Sequence, residues 1–209
     1  GFELGLATRE AYGKTLVALG HEDPRIVVLD ADLSKSTMTR LFAEAFPERF
    51  FNVGIAEQNL AGTAAGLALG GKIPFMSTFA VFAPGRCFDQ LRMSVAYSGT
   101  NVKVASSHAG LSVGEDGASH QAIEDIALMR ALPGFVILVP ADEVATEWAV
   151  REAANHVGPV YLRLGRAKAP KIYEPGTPFA IGRAVVLEDG QDVAILASGL
   201  MVSAALEAA

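Results

Sequence analysis

The sequence predicts an α/β fold, a mostly parallel sheet with helices on both faces. Short β-branched runs that are apolar on both faces alternate with longer Ala- and Leu-rich stretches whose apolar residues recur at three and four. Composition agrees: 51% of the 209 residues are hydrophobic and only 19% charged, enough to close a core and too apolar for a disordered chain.

The elements follow in order. A helical pattern covers residues 10–19, and the run IVVLDADL at 26–33 is a buried strand ending in carboxylates. Residues 37–45 have helical spacing, and Asn52 leaves a strand to enter a small-residue helix over 57–69. Strands are expected at 73–76, 102–106, 135–139 and 160–164, with helices at 84–97, 123–131 and 143–156 between them. Beyond residue 164 both periods fade into Pro and Gly punctuation, which reads as a linker. Residues 181–188 and 192–197 then read as two strands joined by a turn, and 201–209 as a helix cut off mid-turn. The expected organisation is a main domain over 1–166, a linker over 167–180, and the incomplete start of a C-terminal α/β domain over 181–209, since about 30 residues cannot close a core alone.

A net charge of −6 and a pI near 5.2 give no field that attracts a polyanion, so nucleic acid is not an expected partner. No stretch reaches the roughly 20 apolar residues of a membrane span. The single cysteine, Cys87, cannot form an internal disulfide, no secretory pattern opens the chain, and a cytoplasmic location is expected.

In open α/β sheets ligands collect beyond the carboxyl ends of strands, so polar residues just after strands carry the most information. Glu57 opens the small-residue helix. It either favours the helix dipole, worth ~0.3–1 kcal/mol, or enters a dry pocket and makes one strong hydrogen bond to a ring nitrogen. Phe79 and Phe82, three apart after an apolar strand, are either core or an aromatic wall for a flat heterocycle. Arg86, Asp89 and Arg92 read as an ion-paired helix face. The densest segment, residues 107–121, holds His108, Asp116 and His120 among glycines between a strand and a helix. It reads either as a plain turn-rich loop or as one presenting imidazoles and a carboxylate to a polyhydroxylated substrate. The two histidines, twelve apart, lack zinc-ligand spacing, and no Gly-Lys-Ser/Thr makes it a phosphate loop, so no metal site is assigned to this chain. His21 and His156 read as bystanders and Cys87 as a buried small residue.

Taken together, ATR at residues 7–9, DADLSKS at 30–36, NVGIAEQN at 52–59, STFAVF at 77–82 and SHAGLSVGEDGASHQ at 107–121 resemble the transketolases, specifically the pyrimidine-binding domain of thiamine diphosphate enzymes. The resemblance implies transfer of a two-carbon ketol unit from a ketose phosphate to an aldose phosphate. It implies that Glu57 bonds the cofactor's aminopyrimidine, with a protonation state tuned by burial, that Phe79 and Phe82 pack on the ring, and that Asp32 is a cofactor-site acid. His120 would handle protons or hold an alkoxide at the reacting carbons, Asp116 would read an acceptor hydroxyl, and Arg9, Ser36 and His108 would grip sugar phosphate. Two positions depart from the family: Gly85 stands where a tyrosine is frequent, and Val139 where a phosphate-binding arginine is. Thiamine diphosphate is the implied cofactor, with its diphosphate and Mg²⁺ held by a diphosphate-binding domain or an N-terminal transketolase subunit. The small-residue helix and a shared site imply a homo-oligomer. The alternatives are deoxyxylulose phosphate synthase or a 2-oxoacid dehydrogenase β-subunit, separable by product analysis, and a non-catalytic assembly module.

Overall fold

The computed structural model describes residues 1–209. Its strands are β1 (Leu4–Ala7), β2 (Ile26–Asp30), β3 (Phe50–Asn52), β4 (Ile73–Phe79), β5 (Lys103–Ser107), β6 (Val136–Leu138), β7 (Val160–Arg163) and β8 (Lys168–Pro170). The helices are α1 (Thr8–Glu22), α2 (Ser34–Thr37), α3 (Arg40–Ala45), α4 (Glu57–Leu69), α5 (Ala83–Gln90), α6 (Asp125–Arg130), α7 (Glu143–Asn155) and α8 (Met201–Ala208), with a π-helical stretch over Leu91–Tyr97. No helix is long and apolar enough to cross a membrane.

Six strands form one parallel sheet in the order β3-β2-β4-β5-β7-β6. Alternation along each strand divides the core in two. Val27, Leu29, Met76, Val104 and Tyr161 face α4, α5 and α6 through Leu60, Ala64, Cys87 and Met129. Ile26, Val28, Phe75 and Leu162 face α1, α3 and α7 through Leu16, Phe42 and Val150. The expected layering is therefore what forms. Because β2 continues to β3 on one side while β4 lies on its other, their carboxyl ends flank a topological switch point where crevices form.

Several elements differ from the sequence reading. The helix expected over 37–45 is broken: α2 ends at Met38, whose φ of 68° is left-handed, and α3 starts afresh at Arg40. The break has a cause in Asp30, fully buried at the end of β2, whose carboxylate accepts hydrogen bonds from Thr37 Oγ1 (2.7 Å), Thr39 Oγ1 (2.9 Å) and Leu33 N. Burial raises the Asp30 pKa, and these donors oppose the rise. The helix expected over 84–97 is kinked at Cys87 (φ −122°, ψ 29°) before it passes into the π-helical stretch. Within the stretch read as a linker, β8 pairs antiparallel with β1, and Asp142 Oδ2 accepts from Ile172 N and Tyr173 N at 2.9 and 2.8 Å. Residues 181–197 form no strand. Val186, Val193 and Leu196 there stay exposed, and their backbone joins no ladder.

Candidate active site

Five chain segments meet beyond the carboxyl ends of the strands, around a cavity of about 390 Å³ lined by Arg9, Ser36, Phe79, His108, Asp116, His120 and Arg166. Six of these seven are sequence-predicted site residues, and they arrive from α1, α2, β4 and the loop after β5.

Arg9 stands in the first turn of α1, where Glu10 Oε2 accepts from Ala7 N at 3.0 Å and fixes the helix start. Its Nη1 donates to the Ser36 carbonyl at 2.8 Å, which joins the first helix to the turn after β2, while its buried Nε has no partner. Asp32 lies outside the cavity. It is exposed, has a φ of 63°, and exchanges hydrogen bonds with Asn52: Asp32 N donates to Asn52 Oδ1 at 3.1 Å, and Asn52 Nδ2 donates to Asp32 Oδ1 at 3.0 Å.

His108 follows β5 with a φ of 59° and is 2% exposed. Its ring stacks on Phe79 at 3.9 Å and 21°, and Ser107 Oγ lies 2.9 Å from Nδ1. Burial is the main reason its pKa falls from 6.5 to about 4, reinforced by the nearby Arg9 charge, so the imidazole is neutral at pH 7. His120 stands edge-on to Phe79 (6.1 Å, 70°) and to Phe82 (5.4 Å, 72°). The loop between the two histidines turns on Gly110, Gly114 and Gly117, all with positive φ, which L side chains resist. Its base rests on Arg163, which bonds Asp125 through Nε at 2.8 Å and Nη2 at 3.2 Å.

Glu57 is the first residue of α4, 5% exposed, and does not line the cavity. Arg86 Nη1 donates to its Oε1 at 2.7 Å, and its other oxygen carries no hydrogen bond. Phe82 stacks near-parallel to Phe79 (5.8 Å, 15°).

One residue escaped the sequence reading, and one has a different partner from the expected one. Arg166 lines the cavity, where its guanidinium pairs with Glu115 and reaches the Val113 carbonyl at 3.5 Å. It follows β7, so the rule of looking beyond strand ends points to it. Arg86 pairs with Glu57 rather than within its own helix; of the expected i,i+3 pairs only Arg92–Asp89 forms, at 3.2 Å. Cys87 is buried as expected, and burial pushes its thiol up to about 12, which leaves it inert.

Residues 5–171 match the sequence family described as "Transketolase, pyrimidine binding domain". The chain is 52% identical over 202 residues to a Methanocaldococcus jannaschii protein named putative transketolase C-terminal section, covering 96% of this chain and 64% of that protein. It is 43% identical over 207 residues to the transketolase of Homo sapiens, covering 98% of this chain and 33% of that one. Among solved structures, a split-gene transketolase described as an inactive β4 tetramer superposes with a TM-score of 0.89 at 61% identity, over 98% of this chain and 65% of that one. The chain thus spans less than two thirds of the length of these proteins.

Proposed function

The chain belongs to the transketolase family of thiamine diphosphate-dependent transferases, and from that membership we propose that it supplies the pyrimidine-binding half of a site that moves a two-carbon ketol unit between sugar phosphates. The observation that carries this reading is the convergence of Arg9, Ser36, Phe79, His108, Asp116 and His120 on one cavity.

The residues present fit the ring of thiamine diphosphate. A buried carboxylate with one uncommitted oxygen stands at a helix N-terminus, on the same side of the fold as two stacked aromatic rings, and these are what a flat, nitrogen-bearing heterocycle requires. When bound, that cofactor supplies the electron sink that allows the ketose carbon–carbon bond to break. Glu57 would hold a ring nitrogen and Phe79 and Phe82 would pack on the ring, with Asp32 bracing the segment that leads into Glu57 through Asn52. His120, edge-on to both rings, moves a proton at the donor's reacting carbons or holds the developing alkoxide. Asp116 accepts from an acceptor hydroxyl. Arg9 and Arg166 offer guanidinium forks to the substrate phosphate, joined by the Ser36 hydroxyl and the neutral His108 ring.

Further parts of the reading rest on the longer relatives. Diphosphate and Mg²⁺ belong to a diphosphate-binding domain or an N-terminal subunit, and residues 181–209 begin a C-terminal domain that follows the 1–166 body. A homo-oligomer is supported by the outward Gly62 and Gly66 of α4, which have open space in front of them, and by the exposed Leu69 beside them. Cytoplasmic location fits the same assignment.

Mixing the chain with a diphosphate-binding transketolase subunit, thiamine diphosphate and Mg²⁺ should give ketol transfer from a ketose phosphate. Glu57→Ala should lower that rate by at least about 100-fold, the scale of a lost proton-handling group. Full activity in Glu57→Ala removes this carboxylate from the mechanism.

A further inference from the structure

The aromatic wall is already covered. His108, Phe79, Phe82 and Arg86 form one continuous stack: His108 on Phe79 at 3.9 Å, Phe79 beside Phe82 at 5.8 Å, and Arg86 Cζ over the Phe82 ring at 3.9 Å. The same Arg86 guanidinium holds Glu57 Oε1 at 2.7 Å. One side chain therefore covers an aromatic face and holds one oxygen of the carboxylate whose other oxygen a heterocycle at this site would use.

Resting on the ring site assigned above, we propose that Arg86 is a displaceable cap on that site, so that a ring enters by exchange with the guanidinium and Arg86 sets the affinity for it. Four features make the exchange feasible. The Arg86 side chain is 48% exposed, so it has solvent to move into, whereas Glu57 at 5% does not. A cation over a half-exposed aromatic face is a modest attraction, which an incoming ring stacking on the same face can replace. Arg86 N donates to the Phe82 carbonyl at 2.9 Å, but the helix is broken at the very next residue, Cys87, which is non-helical. Gly85 precedes it, at the position where many transketolases carry a tyrosine, so no second bulky side chain stands in the way of the movement.

The test uses the full chain and 4-amino-2-methylpyrimidine, the ring alone, with binding read from the ring resonances of Phe79 and Phe82. Arg86→Ala should bind the probe about fivefold more tightly than the wild type, the fold-change of a lost cation–π cover. Arg86→Lys keeps a charge for Glu57 but loses the flat cover; it should fall between the two, and it serves as the readout if Arg86→Ala does not fold. Equal or weaker binding by the variants overturns the cap and leaves the ring site standing. No perturbation of either ring in any of the three proteins overturns the ring site and the cap together.

Discussion

Removing the Asp125 carboxylate should be among the most damaging single changes outside the cavity. Asp125 is 1% exposed and accepts three hydrogen bonds, from Tyr161 Oη at 2.8 Å and from Arg163 Nε and Nη2 at 2.8 and 3.2 Å. The Tyr161 hydroxyl stays a donor, since burial and the adjacent carboxylate raise its pKa well above 10. In Asp125→Ala a fully buried phenol and a guanidinium that is only 21% exposed lose their acceptor together. Breaking one side of such a buried pair costs about 3–5 kcal/mol. For a domain of this size that is a fall in Tm of roughly 6–20 °C. Asp125→Asn keeps the shape and one acceptor, and should lose about 1–3 kcal/mol. Tyr161→Phe alone should lose about 1 kcal/mol, and the double variant less than the sum, because both changes remove the same bond. Urea unfolding followed by far-ultraviolet circular dichroism measures all four proteins. A loss below about 1 kcal/mol in Asp125→Ala would refute the claim that this carboxylate anchors Arg163 and, through the contact of Arg163 Nη2 with the Ala122 carbonyl at 3.4 Å, the base of the site loop.

Two further outcomes follow from the same loop. His108 has a pKa of about 4 when folded against 6.5 when exposed, so between those values the unfolded chain binds more protons and unfolding becomes easier as pH falls. His108→Asn, which tolerates the left-handed backbone, should flatten that acid slope; urea midpoints measured at pH 7.5, 5.5 and 4 check it, and an unchanged slope counts against a buried neutral imidazole. Gly110 has a φ of 74° and a ψ of −168°, a region open essentially to glycine, and a Cβ there would lie 3.2 Å from Arg163 Nη2. Gly110→Ala should therefore lower stability by about 1–3 kcal/mol in the same unfolding assay, and a neutral result means the loop base can shift freely.

The parallel sheet was legible because its strands are apolar on both faces, and α4 was legible to the residue because an acid opens it and glycines close it. What escaped was set by distant partners. The β1–β8 pair comes from segments more than 150 residues apart, and the Lys-Ala-Pro of β8 has no strand period of its own. The break at Met38 depends on Asp30 drawing in Thr37 and Thr39, which local helical spacing over 37–45 does not reveal. Residues 181–197 show the converse: their alternation of apolar residues has the form of strands, but a strand needs a neighbour, and they pair with none.

The cationic residues of the site follow the same logic. Val139, just past β6, stands where the family resemblance places an arginine, and its carbonyl accepts from Gly199 N at 3.0 Å. The approach there is close: a Cβ on Gly199 would lie 2.9 Å from Val139 Cγ1, so a long side chain at residue 139 would compete with the docking of the segment that leads into α8. Strand β7 is the sheet neighbour of β6, with Leu138 opposite Leu162, and three residues past β7 comes Arg166, which faces the cavity together with Arg9. A guanidinium is thus presented from the adjacent strand end, at the same end of the sheet, and the cavity keeps two cationic forks although the residue at 139 is apolar. Arg166 can be found in the sequence because it follows β7, but only the strand order shows that β7 lies beside β6.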